Sequence, residues 1–272
     1  MAKELYNNIL GRLPAAIVIA ALIFGLLYLQ NFLLIFPVII STAALLLREW
    51  LQLSKTQISL MQIIFLIAPF VLFVIYGEQF IYYFLLLAGV FWLMYGSLLI
   101  TQNTESISSI SFNNNFLGIF LIQAFMFGLI SVLLFSSFFS INNFFILFLL
   151  LFISALGDVV AYLVGSSIGK TPLFPKLSPN KTVEGFLGGM IAMILFAAAI
   201  YWLELISFKL FMVLMLVTPF TFLGDYFESQ LKRNQKIKDS GSLIPGHGGI
   251  WDRLDSHISV IPVAALLCLL LT

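Results

Sequence analysis

Long apolar runs alternate along the whole chain with short polar or Pro/Gly punctuation. Nine such runs stand out, at approximately 13–29, 32–47, 58–76, 79–100, 116–138, 143–165, 183–204, 207–224 and 258–271. Each approaches the ~20 residues that carry an α-helix across a hydrocarbon core. Several abut closely, so pairs such as the first two are expected to form tight helical hairpins. The pattern predicts an all-α, polytopic integral membrane protein of about nine transmembrane helices, in one membrane domain spanning 1–272. The first run lacks a small-x-small cleavage site before the next begins, so it reads as a retained helix. No soluble domain is inserted: the Ser- and Asn-rich stretch 101–115 reads as a loop, and the longest polar stretch is Asp225–His257.

Composition agrees with the pattern. Hydrophobic residues make up 61% of the chain and charged residues 9%, against roughly 25% charged in a soluble domain. The formal net charge of +1 gives no reason to expect nucleic acid as a partner. The single cysteine, Cys268, lies in the last apolar run, so no disulfide within the chain can form. The 29 Phe residues read as lipid-facing bulk, and Trp50, Trp92, Trp202 and Trp251 fall in or near expected membrane interfaces.

Basic residues choose between the two orientations. With the N-terminus cytoplasmic, Arg48, Lys55, Lys170, Lys181, the cluster Lys232–Lys238 and Arg253 all fall inside, and only Lys209 falls outside. This satisfies the positive-inside rule and predicts a multi-pass protein of the cytoplasmic (inner) membrane with its C-terminus outside. The polar loops 166–182 and 225–257 then share the cytoplasmic side.

Chemistry concentrates in the second of these loops. Between Gly224 and His257 stand Asp225, Glu228, Asp239, Asp252 and Asp255 together with Lys232, Arg233, Lys236, Lys238 and Arg253. Such charge at a membrane boundary is costly unless it faces water or a ligand. Carboxylates are hard oxygen ligands for Mg²⁺, which keeps several waters and is completed by substrate phosphates. Lysine and arginine neutralise the remaining phosphate charge. Gly246, Gly248 and Gly249, beside Pro245, permit a tight turn and close approach of backbone N–H groups to an anion. The alternative is a solvated positive-inside loop. Asp225 follows directly on one apolar run, however, and Asp252 and Asp255 lead directly into the next, which favours a metal–phosphate site. Two orphan candidates remain: Asp158 near the end of a span, for a cation or a pairing with Lys170 or Lys181, and His247, which reads as a hydrogen-bonding residue of the glycine turn.

The run Ser229-Gln-Leu-Lys232-Arg233, then Lys238-Asp239-Ser-Gly, Leu-Ile-Pro245-Gly-His247-Gly-Gly and Asp252-Arg253-Leu-Asp255 resembles the signature of the CDP-diacylglycerol synthase (phosphatidate cytidylyltransferase) family. A second stretch agrees: Asp158-x-x-Ala-Tyr162, Gly165, Gly169-Lys170 and Leu177-Ser178-Pro179-Asn-Lys181-Thr-Val-Glu184-Gly185. One departure is Ala155, near which the family often carries a Trp. In the N-terminal half only Arg48-Glu49-Trp50 is a faint echo.

The resemblance implies transfer of CMP from CTP to phosphatidic acid, giving CDP-diacylglycerol and pyrophosphate in phospholipid biosynthesis. The catalytic half would be 141–272, behind N-terminal spans in 1–140, in a homodimer embedded in membrane lipid. Mg²⁺ is the implied cofactor, with a second cation, K⁺ or Mg²⁺, beside it. By the same resemblance Asp225 and Asp252 match metal-binding carboxylates, with Asp158 a further metal candidate. Lys232, Arg233 and Lys238 match basic positions near the phosphates, and Asp239, His247 and Asp255 match further motif positions. Ser178, Lys181, Arg253, Gly248 and Gly249 are expected to bind substrate. Two other classes stay open: a CTP transferase acting on another lipid phosphate, such as an isoprenoid ether lipid, and a transporter. A transporter would place ionisable residues near mid-span, whereas here they cluster at span ends.

Overall fold

The computed structural model describes residues 18, 20–101, 110–135, 141–175, 178–237, 239–241 and 248–271. In chain order the helices are α1 (Ala20–Leu29), α2 (Phe32–Ser54), α3 (Leu60–Tyr76), α4 (Glu78–Ile100) and α5 (Asn115–Phe135). They continue with α6 (Asn143–Ile168), α7 (Val183–Trp202), α8 (Phe208–Asn234) and α9 (Trp251–Leu270). Seven of these are long and apolar enough to cross a membrane, and α1 and α3 are shorter apolar helices. The protein is an all-α multi-pass membrane protein. Large apolar side chains such as Leu33, Val74 and Leu195 are exposed on its outer surface, a surface that suits lipid and not water.

Local sequence explains where the helices begin. Asn31, Ser59, Asn142, Thr182 and Ser207 each accept a backbone N–H from the first turn that follows, which satisfies donors that lipid cannot. Two of the four prolines inside the described helices are handled the same way. Pro69 cannot donate to the Phe65 carbonyl, and the buried Gln123 amide of α5 donates to Phe65 at 3.2 Å and to Leu66 at 2.9 Å. Pro219 leaves the Met215 carbonyl free, and the Thr218 hydroxyl donates to it at 2.9 Å.

Helix α5 is the most buried of the candidate spans and packs against α2, α3, α4, α6 and α9. On the other side α6, α7, α8 and α9 form the packed group that carries the polar residues. Small residues set the approach of α6 to α7: Gly157, Ala161 and Gly165 at four-residue spacing meet Gly185 and Gly189. A Cβ on Gly189 would stand 2.8 Å from the Gly157 carbonyl oxygen, so the two backbones are in contact.

Three features depart from the sequence reading. First, α8 continues to Asn234 and α9 starts at Trp251, so most of the charged stretch is helical and not loop. At 1.5 Å per residue α8 is about 40 Å long, more than the ~30 Å of a hydrocarbon core. Second, residues Pro172–Phe174 (β1) and Ser178–Thr182 (β2) form a small antiparallel hairpin where a loop was expected. Third, Trp50, Trp92 and Trp251 are fully buried, and only Trp202 is exposed.

Candidate active site

The β1–β2 hairpin folds back onto α7 and α8. Thr182 caps α7 through the Gly185 N–H at 3.1 Å. The Glu184 carboxylate accepts the backbone N–H groups of Lys170 (3.1 Å) and Thr171 (3.2 Å), fixing the entry to β1. Phe174 stacks edge-on against Tyr226 of α8, with ring centroids 5.0 Å apart. These contacts hold Lys181, at the end of β2, over α8. Its ammonium is ion-paired with Asp225, donates to the Ser229 hydroxyl at 3.4 Å and lies 4.5 Å from the centre of the Tyr226 ring.

Beneath Lys181 opens a cavity of about 550 Å³ between α6, β2, α7 and α8. Asp158, Lys181 and Asp225 line it together with Ser166, Ser178 and Asn180, while Ala161, Gly165, Phe186 and Phe222 make an apolar wall. The exposed Tyr162 stands at its edge. One pocket therefore offers a charged end and an apolar side, which suits a ligand with a phosphate head and a lipid body.

Asp158 accepts the Ser256 hydroxyl of α9 at 3.2 Å. Gly224 allows α8 and α9 to touch: a Cβ there would strike the Asp255 carbonyl oxygen. The negative charges of Asp225, Glu228 and Asp158 all act on Asp255, and Lys181 is the positive charge that acts on both Asp158 and Asp255. Aspartates from α6, α8 and α9 thus share one electrostatic environment with Lys181.

Asp252 has its own set of partners. One of its oxygens takes the Lys232 ammonium at 2.7 Å. The other accepts Ser240 N–H (2.8 Å), the Ser240 hydroxyl (3.0 Å) and Gly249 N–H (2.8 Å). Lys232 also reaches the buried Glu228 at 2.6 Å, one turn back on α8. Lys232 lies seven residues, or about 10 Å of helix rise, beyond Asp225. Asp158 and Asp225 line one cavity, while Asp252 is paired with Lys232, which also reaches Glu228.

The glycine turn is also occupied by protein. The N-cap of α9, Ile250, has no capping side chain of its own. Instead Glu49 of α2 accepts Ile250 N–H at 2.8 Å and Trp251 N–H at 3.1 Å. With Gly249 N–H held by Asp252, these donors point at carboxylates and not toward an open anion site. Gly248 has φ +86°, and a Cβ on Gly249 would come within 2.6 Å of Glu49. Gly248 and Gly249 serve close packing here, and Gly246 lies outside the described residues.

Arg233, Asp239 and Arg253 are exposed, and Ser178 is half-buried against the cavity. Lys238 and His247 lie outside the described residues. Sequence reasoning passed over Tyr226, and met Glu49 and Ser240 only within family-like stretches, with no role attached to either. For Glu49 one signal existed, an acidic residue at the end of an apolar run, but its partners are about 200 positions away.

Among the described residues no three carboxylate, histidine or thiol groups converge into a ready cage for a metal ion. Mg²⁺ does not require one, since one or two carboxylates suffice when waters and substrate phosphates complete the shell. Asp158 and Asp225, which line one cavity, are two such carboxylates and fit such an ion.

Residues 11–271 match the family described as the Cytidylyltransferase family. Over 108 residues the chain is 45% identical to the phosphatidate cytidylyltransferase of Bacillus subtilis (strain 168), covering 39% of this chain and 40% of that protein. It is 41% identical over 115 residues to the protein of the same name from Staphylococcus aureus (strain COL), covering 41% of this chain and 44% of the relative. A third, from Staphylococcus haemolyticus, is 43% identical over 117 residues, with coverage of 41% and 44%. The chain thus spans less than half the length of the curated relatives it matches.

Proposed function

The chain belongs to the cytidylyltransferase family, and from that membership we propose that it transfers CMP from CTP to phosphatidic acid, releasing pyrophosphate and forming CDP-diacylglycerol. The observation that carries this reading is the ion pair between Lys181 and Asp225, set in a cavity with one charged end and one apolar side. A nucleotide and a lipid phosphate need both features in one place.

In the reaction a phosphatidate oxygen attacks the α-phosphorus of CTP, and the α–β bridging bond breaks as pyrophosphate departs with its electrons. The nucleophile needs no strong general base, because a phosphate monoester loses its second proton at about pH 6. The work left to the protein is neutralisation and in-line placement of two anions. Mg²⁺, with K⁺ or a second Mg²⁺ beside it, would be held by Asp225 with Asp158, which line one cavity, and would supply charge neutralisation for the phosphates. Lys181 and Ser178 at the cavity mouth would bind a phosphate group. Lys232, kept in place by Glu228 and Asp252, would present its ammonium to the leaving phosphates, with Arg233 and Arg253 adding positive field. The apolar wall of Phe186 and Phe222 would take the glycerolipid body, while the acyl chains stay in the bilayer.

We read the site as cytoplasmic, with the N-terminus inside, on the strength of the basic-residue distribution, and the protein as a homodimer on the strength of the family resemblance. The test is conversion of phosphatidate by the purified protein with CTP, with and without Mg²⁺, beside an isoprenoid-ether lipid phosphate. Cation-dependent formation of CDP-diacylglycerol from phosphatidate supports the proposal. Turnover of the ether lipid alone would reassign the substrate, and absence of CTP turnover with either lipid would remove the proposal.

A further inference from the structure

Glu49 is a buried carboxylate, 4% exposed, in the last turns of α2. It lies in the N-terminal half, far in sequence from every residue assigned a role above. Both of its oxygens accept the Ile250 N–H at 2.8 Å, and one also accepts the Trp251 N–H at 3.1 Å and lies 3.4 Å from the Ser240 hydroxyl. The Trp251 indole donates back to the Leu46 carbonyl of α2 at 2.8 Å, and its ring packs on Trp50 with centroids 5.1 Å apart. The end of α2 is thereby locked to the start of α9 at four points.

Ser240 makes this lock more than a cap. Its hydroxyl lies between Glu49 and Asp252, and its N–H donates to the same Asp252 oxygen that receives Gly249 N–H. Asp252 in turn fixes Lys232 at 2.7 Å. Glu49 thus occupies the far end of a short chain: Glu49, the Ser240 and Gly249–Trp251 backbone, Asp252, Lys232. A carboxylate at a helix N-terminus is also favoured by the helix dipole, so it binds the turn without needing a second cation.

We propose that Glu49 is a positioning residue, which holds the Gly248–Trp251 turn from α2 and so sets the orientation of Asp252 and the Lys232 ammonium. The proposal rests on the functional reading above for its kinetic consequence, and on geometry alone for its structural one. Loosening the turn would displace Lys232 by a fraction of its reach. Misplacement of about 1 Å costs on the order of 100-fold in rate while leaving ground-state binding largely intact.

The test uses the full-length protein in lipid nanodiscs, as wild type and Glu49→Gln. Gln keeps one acceptor and the shape of Glu but loses the second acceptor and the charge. Two readouts are taken: amide hydrogen exchange in the peptide covering Gly248–Leu254, and steady-state kinetics with CTP and phosphatidate. Expected are at least tenfold faster exchange in that peptide, unchanged exchange in α6 and α7, and a kcat at least tenfold lower with KM for CTP within threefold. Unchanged exchange overturns the proposal. So does faster exchange with unaltered kcat, or a Gln variant that fails to fold, which would make Glu49 purely structural. If wild type itself shows no CTP turnover, the functional reading fails, and the exchange data still decide whether Glu49 holds the turn.

Discussion

The Lys181 ammonium is ion-paired with Asp225, and through this pair the hairpin after α6 is joined to the charged end of α8. The two residues are 44 positions apart and belong to separate polar stretches. Their meeting supports the expectation that both stretches lie on one face of the membrane. It also defines the charged end of the cavity, which Asp158 lines beside the pair.

Removing either member should abolish turnover without unfolding the protein. Asp225→Asn and Lys181→Ala are each expected to lower kcat/KM by about 100-fold or more, the scale of losing one preorganised charge from a phosphoryl-transfer site. Lys181→Arg should retain part of the activity. Near-wild-type turnover in Asp225→Asn, in protein that elutes as a single folded species, would exclude Asp225 from the reacting centre.

Lys232 sits between two carboxylates, of which Glu228 is 1% and Asp252 is 8% exposed. Lys232→Met leaves both charges without their partner and should destabilise the protein by about 3–5 kcal/mol, read as a shift in the denaturant midpoint. Asp252→Asn should cost less, since Lys232 keeps Glu228. The double variant should be less destabilised than the sum of the two single changes, because both act on one network. Strict additivity would show that the two do not interact.

The α6–α7 contact gives a packing prediction. Gly189→Ala sets a methyl 2.8 Å from the Gly157 carbonyl oxygen and 2.9 Å from the Phe222 ring, and should lower stability by about 1–3 kcal/mol while narrowing the cavity. Gly25→Ala, with no described residue within 4 Å of the new Cβ, is the control and should not destabilise the protein. Equal thermal midpoints for the two variants would contradict the packing.

Filling the cavity tests its use directly. Ser166→Trp should raise KM for phosphatidate or CTP at least tenfold, since Ser166 lines the cavity and is exposed. Lys209→Ala, an exposed lysine on the face assigned to the outside, should leave both constants unchanged. An active Ser166→Trp with wild-type constants would move the substrates elsewhere.

Hydropathy made the membrane helices legible, but it read polar residues as loop wherever they appeared. Helices α8 and α9 continue through that polarity because the charges are satisfied within the fold. Lys232 is held by Glu228 at i,i+4 and by Asp252 across the helix pair. The motif resemblance pointed to Asp225 and Asp252 as metal carboxylates and to Asp255 as a further motif position, but it did not give how the side chains of α8 and α9 meet. That depends on the α8–α9 crossing at Gly224, a three-dimensional contact with no local signature. Glu49 was hidden for the same reason: its partners are backbone N–H groups, and any residue type supplies those. The burial of Trp50, Trp92 and Trp251 follows from their place in the bundle, not from their amphipathic chemistry.

Binding of Mn²⁺, standing in for Mg²⁺, to the purified protein in the presence of CTP tests the Asp158 and Asp225 carboxylates most directly, and electron paramagnetic resonance reads it without relying on turnover. Wild type should bind the ion more tightly when CTP is present, and Asp225→Asn should weaken that binding at least tenfold. Wild-type affinity in both Asp225→Asn and Asp158→Asn would contradict the assignment of the nucleotide and its cation to these carboxylates.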